Sequence, residues 1–270
     1  MVEYEHVCYL DVQKTGSTFV QSFLERHMRG EPLRVMKHGR IASRADPETF
    51  CFITCRRPLD LYLSLFSSGC DGRGALLRRL VRAGLSDLYE RTPGGLARWL
   101  EFVLEERNAS FLGEGYADGR VELYGFQTHR FLSLALGGAA AKLSKAEGSD
   151  DLRRLFARRT IVDAVLSTER LDEGLAELAR TDLRPHLVDA DAALAALQAP
   201  KRLNVSTHDE LTDVAGVPEA LVRQIERREW FLHELMGYAR GGEEASGAHE
   251  RRPAVLRVAT RRRSATGATG

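Results

Sequence analysis

The segment Asp11–Thr18 brings together residue types that suit the binding of an anion. Its sequence, DVQKTGST, contains the cation of Lys14, the flexible backbone of Gly16 and the hydroxyl groups of Thr15, Ser17 and Thr18. An apolar run precedes it and a helical pattern follows it, so several backbone N–H groups and the positive end of a helix dipole would point at one place. The segment therefore predicts a site for a phosphate or sulfate group, with an ordinary capped turn as the alternative.

A nucleotide triphosphatase loop is the competing interpretation of this segment. That motif needs a glycine well upstream of an adjacent Gly-Lys-Ser/Thr, whereas here Lys14 precedes Gly16 and no glycine comes before them. Asp11 stands at a predicted strand end, but the sequence offers no clear partner carboxylate for magnesium. Metal-dependent phosphoryl transfer is disfavoured, though it stays open.

A second anion-binding pattern follows the apolar run Phe50–Cys55. This predicted strand leads into Arg56, and Pro58 suits the first position of a helix that carries Ser64. Arg56 would emerge at the carboxyl edge of the sheet, where open α/β folds bind ligands, and its planar fork suits a phosphate. A surface ion pair for Arg56 and a solvated hydroxyl for Ser64 are the simpler alternatives.

Alternating strands and helices would position these groups. Hydrophobic periodicity predicts strands over 6–12, 33–37, 50–55, 122–126 and 160–166, and helices over 18–28, 58–69, 76–80, 96–104, 170–180 and 217–238. Strands separated by helices favour an α/β fold with a central parallel sheet flanked by helices. We expect one domain over 1–239, followed by a flexible Arg/Gly/Ala-rich tail over 240–270.

Composition excludes several classes of protein. The chain has 270 residues, 43% of them apolar, and a formal net charge of +1, so neither disorder nor binding to nucleic acid is indicated. Cys8, Cys51 and Cys55 lie in apolar runs, as expected of buried thiols and not of a disulfide framework. No apolar run approaches the roughly 18 residues of a transmembrane helix, and the acidic start is unlike a secretory signal. The sequence thus predicts a cytoplasmic protein.

Taken together, these segments resemble the sulfotransferases that use 3'-phosphoadenosine 5'-phosphosulfate (PAPS). Asp11–Thr18 is similar to the 5'-phosphosulfate loop of that family, and Arg56 with Ser64 is similar to its 3'-phosphate site. The loop is most similar to the carbohydrate and bacterial branch, although Gln13 stands where that branch often has proline. Weaker similarity extends to Tyr124–Arg130 (YGFQTHR), Thr168–Asp172 (TERLD), Asn204–Ser206 (NVS) and a closing helix that ends at Gly237 and Tyr238.

The resemblance implies a P-loop NTPase-like sulfotransferase fold and a donor that is bound at both ends. The implied donor site consists of Gln13, Lys14, Thr15, Gly16, Ser17, Thr18, Arg56, Ser64 and Asn204. Lys14 would neutralise the charge that develops on the oxygen between sulfur and phosphorus, with no metal required. The products would be 3'-phosphoadenosine 5'-phosphate (PAP) and a sulfated carbohydrate, glycolipid or secondary metabolite.

An acceptor hydroxyl needs a base, and histidine is the side chain best matched to neutral pH. His38 is the candidate, because it follows the predicted strand 33–37 and should lie at the same sheet edge as Lys14. Gln127 and His129 are expected to shape the acceptor site, and His129 is the second candidate for the base. Two other functions stay open: a nucleotide or small-molecule kinase, and a non-catalytic module that binds sulfated or phosphorylated ligands.

Overall fold

A mixed β-sheet runs through the part of the chain that the computed structural model describes, which is residues 1–41, 46–198, 216–239 and 253–258. Its six strands lie in the order β3-β1-β2-β4-β5-β6. They are β1 (Val2–Glu3), β2 (Val7–Leu10), β3 (Arg34–Val35), β4 (Phe50–Cys55), β5 (Ala164–Ser167) and β6 (Val255–Arg257). The prediction of a parallel sheet is correct for β2, β4 and β5 and wrong for the edges, because β1 runs antiparallel to both β2 and β3, and β6 runs antiparallel to β5.

Helices cover both faces of this sheet. The described helices are α1 (Ser17–His27), α2 (Pro58–Cys70), α3 (Ala75–Arg82), α4 (Pro93–Leu104), α5 (Ala109–Leu112), α6 (Phe126–Ala135), α7 (Ala139–Leu143), α8 (Ser149–Arg159), α9 (Leu171–Arg180), α10 (Ala190–Gln198), α11 (Glu219–Arg228) and α12 (Trp230–Met236). Short 3-10 turns lie at 86–89, 106–108, 168–170 and 184–186. The protein is therefore an α/β fold with a sheet between two layers of helices.

Strand β4 shows why the sheet is buried on both faces. All its residues are buried, and successive side chains point to opposite faces of a strand. Phe50 and Phe52 pack in the core formed with α1, α9 and α10, whereas Cys51 and Ile53 pack in the core formed with α2, α4 and α6. A continuous apolar run, and not an alternating one, is the pattern expected of such a central strand.

Three parts of the chain differ from the sequence prediction. Residues 122–126 form a turn and the start of α6, not a strand, and the Leu123 carbonyl in that turn accepts a hydrogen bond of 2.7 Å from Trp230 Nε1. The predicted helix over 217–238 is two helices, which meet at the buried Glu229. Within the predicted tail, Val255–Arg257 forms the edge strand β6.

The remaining predictions of strands and helices are confirmed, with ends shifted by a few residues. Cys8, Cys51 and Cys55 are buried free thiols, as expected. Among the described helices, none has both the length and the apolar character that crossing a bilayer requires.

Candidate functional site

An open cleft of about 690 Å³ lies at the carboxyl ends of the three parallel strands. Each strand leads directly into residues of its wall: Gln13 and Lys14 follow β2, Arg56 follows β4, and Thr168 follows β5. The other polar residues that line it are Ser17, Thr18, Lys37, His38, Asp60, Ser64, Ser68, Asp71, Arg73 and Glu169. The fold thus brings the two predicted anion-binding segments together in one cleft.

The loop between β2 and α1 has a backbone that only certain residues tolerate. Lys14 and Gly16 have φ angles of 68° and 79°. The φ of Gly16 disfavours other residues, and a Cβ atom there would lie 2.6 Å from Leu171 Cδ2, so that the leucine side chain would have to move. No side chain caps α1 among the described residues. Its first N–H groups therefore remain available to an anion in the cleft.

Thr15 does not contribute its hydroxyl to the cleft as the sequence predicted. Its side chain is fully buried, donates to the Val12 carbonyl at 2.8 Å and lies 2.6 Å from Thr54 Oγ1. The Thr15 carbonyl accepts a hydrogen bond of 3.2 Å from Thr168 Oγ1. Thr15 therefore links the loop to Thr54 on β4 and to Thr168 after β5, while Ser17 and Thr18 line the cleft.

Arg56 and Lys14 lie side by side. Arg56 Nη1 donates to the Lys14 carbonyl at 3.3 Å, which fixes the guanidinium against the loop. Ser64, with 4% of its surface exposed, and Ser68 lie one turn apart on α2 and line the same cleft. The cleft thus offers two neighbouring groups of anion ligands, one at the start of α1 and one between Arg56 and α2.

The charges in the cleft favour an anion. Asp60 and Asp71 are already paired with Arg57 and Arg91, respectively. Glu169 accepts hydrogen bonds from the Arg57 N–H at 2.7 Å and from Ser167 Oγ at 2.5 Å. The cations that line the cleft are Lys14, Lys37, Arg56 and Arg73.

Two of these cations, Lys37 and Arg73, were not predicted from the sequence. Each follows an element that the sequence did indicate, Lys37 after β3 and Arg73 after α2, and this position at an element end was the available signal. Burial, followed by the nearby charges of Arg56 and Arg73, lowers the pKa of the Lys14 ammonium below its ordinary value. An anion in the cleft would relieve this repulsion.

His38 stands on the wall between this cleft and a second cavity. Its backbone N–H donates to Asp11 Oδ1 at 2.8 Å, and its ring Nδ1 lies 3.0 Å from the Asp11 carbonyl and 3.3 Å from Oδ2. These contacts involve the Nδ1 edge of the ring, and Nε2 lies on the opposite edge. Its φ of 55° is rare for a residue other than glycine, and a constrained conformation of this kind is common at functional sites.

The second cavity has a volume of about 390 Å³ and shares Gln13 and His38 with the cleft. Its other lining residues are Asp11, Val12, Arg40, Ala75, Glu114, Gly115, Arg130, Ser133 and Leu134. Most of these residues were not identified from the sequence.

Gln127 and His129, the residues predicted to shape an acceptor site, line neither cavity. Gln127 is fully buried in the first turn of α6. His129 Nε2 lies 3.1 Å from the Glu114 carbonyl and 3.3 Å from Ser133 Oγ, so it supports the wall of the second cavity from behind. Burial lowers the pKa of His129, which favours the neutral ring.

One predicted ligand, Asn204, lies outside the described residues. Within the described ranges, no group of three or more His, Cys, Asp or Glu side chains is arranged to hold a metal ion. No protein-family model, curated protein or solved structure matches the chain.

Proposed function

We propose that the chain is a sulfotransferase that moves a sulfuryl group from PAPS to an acceptor hydroxyl, on a P-loop-like sulfotransferase fold. The observation that carries this proposal is the convergence of Lys14 and Arg56, joined by a hydrogen bond of 3.3 Å, in one cleft with two groups of anion ligands. A single phosphate needs only one such group. An adenosine nucleotide with charged groups on both its 3' and 5' oxygens would use both.

The residues of the cleft fit such a donor. The uncapped start of α1, with Lys14, Ser17 and Thr18, would hold the 5' phosphosulfate, and Arg56 with Ser64 and Ser68 would hold the 3' phosphate. The volume of about 690 Å³ lies within the range of roughly 300–1,000 Å³ that is usual for small-molecule sites. Lys37 and Arg73 add positive charge at the rim.

When bound, PAPS supplies an activated sulfuryl group: a new bond forms between sulfur and the acceptor oxygen as the bond between sulfur and the 5'-phosphate oxygen breaks. Lys14 would neutralise the negative charge that this phosphate oxygen acquires, and the N–H groups of α1 would hold the equatorial oxygens. Partial desolvation of Lys14 strengthens this interaction, because charges attract more strongly where water is excluded.

His38 would take the proton of the acceptor hydroxyl on Nε2. Asp11 orients the ring through Nδ1 and stabilises the imidazolium that forms, so Asp11 is a positioning residue. Because His38 lines both cavities, it stands where an acceptor in the second cavity would meet a donor in the cleft.

Calorimetric titration with PAP, and separately with ATP and magnesium, tests this proposal. We expect micromolar or tighter binding of PAP without a metal, and binding at least tenfold weaker for adenosine 5'-phosphate, which lacks the 3' phosphate. Tight ATP binding that depends on magnesium, with weak binding of PAP, would instead identify a kinase. Binding of PAP without turnover of any hydroxylated acceptor would favour the non-catalytic module.

A further inference from the structure

The loop Gly113–Gly115 forms one wall of the second cavity and has an unusual backbone. Its three residues have φ angles of 74°, 61° and 75°, so Glu114 lies in the left-handed region between two glycines. A Cβ atom on Gly113 would lie 2.3 Å from the Arg79 guanidinium carbon, so a side chain there would displace Arg79. At Glu114, which is not a glycine, this conformation costs free energy and persists only where its surroundings hold it.

Three arginines hold this loop through Glu114. Arg130 Nε and Nη2 donate to the Glu114 carboxylate at 3.1 and 2.6 Å, and Arg79 Nη1 lies 3.8 Å from the same carboxylate. Arg40 Nη2 donates to the Glu114 carbonyl at 2.9 Å. Three guanidinium groups thus surround a residue that carries one negative charge, which leaves an excess of positive charge at this wall.

The same arrangement is reflected in the pKa of Glu114. Burial alone would raise the pKa of this carboxyl, but the opposing effect of Arg130, Arg79 and His129 holds it below its ordinary value. Glu114 therefore stays ionised at neutral pH, and its charge offsets only one of the three arginines.

Arg130 has a donor that the protein leaves unused. The side chain is 3% exposed, and its guanidinium lies 4.1 Å from the centre of the Phe126 ring. Nε and Nη2 face Glu114, whereas Nη1 is buried and has no hydrogen-bond partner among the described residues. A buried donor on a charged group is costly to leave unpaired, and Arg130 lines the second cavity.

We propose that the second cavity binds the acceptor through a carboxylate, and that the acceptor is a small hydroxylated carboxylic acid. This inference rests on the proposed function of the cleft. A carboxylate at this wall would bind the exposed Arg40 and would offset the excess positive charge, and a shift of the Arg130 guanidinium towards it would give Nη1 an acceptor. A hydroxyl elsewhere on the same molecule would lie at His38, on the wall shared with the cleft.

The size and the other walls of the cavity agree with a small molecule. Its volume of about 390 Å³ lies near the lower end of the usual range for such sites. Val12, Ala75 and Leu134 provide apolar surface for a carbon skeleton, and Ser133 and Gln13 provide polar contacts. Binding of the carboxylate at the arginine wall would orient the hydroxyl at His38 for sulfuryl transfer.

Paired probes that differ only in charge test this proposal. We would titrate the protein, with and without PAP, with 4-hydroxyphenylacetate and 4-hydroxyphenylacetamide, and likewise with glucuronate and glucuronamide. We expect the acid of at least one pair to bind at least tenfold more tightly than its amide, because only the acid carries the charge that the arginines recognise. Equal affinity within both pairs, or no binding of either acid at millimolar concentration, would overturn the proposal.

Substitutions of two exposed arginines test which residues cause the preference for the acid over the amide. Arg40→Gln should reduce the preference for the acid at least threefold, and it leaves the pair of Arg130 and Glu114 intact. Arg82→Gln makes the same chemical change on α3, at a residue that lines neither cavity, and should leave the preference unchanged. An unchanged preference in Arg40→Gln, together with an unchanged preference in Arg130→Lys, which keeps the charge but loses the guanidinium donors, would remove the arginine wall from recognition.

The two proposals fail in different ways. If PAP does not bind but the acid is still preferred over the amide, the sulfotransferase proposal is wrong and the carboxylate site stands. If PAP binds and the acid and amide are bound equally, the cleft retains its proposed function and only the carboxylate site is lost.

Discussion

The two cavities that meet at Gln13 and His38 are built in different ways. The central part of the larger cleft is formed by segments that directly follow β2, β4 and β5, and residues after β3 and α2 complete its wall. The smaller cavity draws on Arg40, Glu114 and Arg130, which come from separate regions of the sequence. A site formed at strand ends can be found from local sequence patterns, whereas a site formed by tertiary packing cannot.

Substitution of Lys14 should give the largest effect and should act on the cleft alone. We expect Lys14→Ala to lower the rate of sulfuryl transfer roughly 10³-fold, because a charge aimed at the leaving oxygen is lost from the transition state. Steady-state kinetics would measure it. The exposed Lys37 on the same cleft wall is the control, and Lys37→Ala should cost only a few-fold. Similar losses in both variants would indicate general attraction of anions and not a specific role.

Substitution of Glu229 tests how firmly helix α6, which carries a wall residue of the smaller cavity, is held in place. The fully buried carboxylate of Glu229 accepts hydrogen bonds from Tyr62 Oη, the Gln127 N–H, and the N–H and Oγ1 of Thr128, and so anchors the start of α6, which carries Arg130. We expect Glu229→Ala to lower the free energy of unfolding by about 3–4 kcal/mol, because these donors would be left buried and unpaired.

Urea denaturation measures this change. Glu219→Ala, at an exposed residue of the neighbouring helix α11, is the control and should change the free energy of unfolding by less than about 1 kcal/mol. A similarly small change for Glu229→Ala would mean that the α6 terminus is held by other contacts.

His38 lines both cavities, so its substitution should affect transfer without affecting donor binding. We expect His38→Asn to reduce turnover roughly 10²-fold and to leave the affinity for PAP within about twofold. Asparagine is chosen because it tolerates the positive φ of this position. The pH profile of turnover should lose its dependence on a base. Weakened PAP binding with an unchanged pH profile would make His38 a structural residue, and His6→Asn, at a residue that lines neither cavity, is the control.

Substitution of Arg56 tests which end of the donor this residue binds. We expect Arg56→Ala to weaken binding of PAP by about 10- to 100-fold, the effect of losing hydrogen bonds to a charged group. Binding of adenosine 5'-phosphate, which lacks the 3' phosphate, should change little. Calorimetry with both nucleotides measures the difference, and equal losses for the two would assign Arg56 to the other end of the ligand.

The smallest predicted effect is on the pH dependence of PAP binding. Because the pKa of Lys14 is lowered, this side chain loses its proton at a lower pH than an ordinary lysine, and the affinity for the anion should fall a few-fold as the pH rises towards the pKa of an ordinary lysine, about 10.4. Binding in this range should take up a proton, which calorimetry in two buffers of different ionisation enthalpy detects. Lys14→Arg stays charged and should show neither effect.

The sequence was most informative where one segment contains a whole structural unit. Strand, loop and helix over 7–27 and over 50–70 could be predicted because apolar runs, Gly16 and Pro58 mark their limits locally. Because Lys14, Arg56 and Ser64 lie within these units, the sequence could indicate them as residues of one cleft. The Thr15 hydroxyl was expected to be a donor for the anion but is bonded to Val12 and Thr54, since only the fold decides which hydroxyl of the loop points inward.

Features that depend on distant partners escaped prediction. Tyr124 and its neighbours have strand-forming side chains, but they lie in a turn that contacts Trp230 on α12. The break at Glu229 follows from its bonds to α6, about 100 residues earlier in the sequence, and a helical pattern by itself gives no sign of it. The left-handed Glu114 is held by arginines from three other segments.

Strand β6 has a practical consequence for the design of shortened variants. Val255–Arg257 covers the outer edge of β5, and the Ser167 N–H donates to the Ala254 carbonyl at 3.0 Å, one residue before Thr168 in the cleft. A chain cut after residue 239, where the domain was expected to end, would leave the β5 edge open to pairing with other molecules. Truncations made for crystallisation should therefore retain residues up to 258, or aggregation will be mistaken for loss of the proposed nucleotide site.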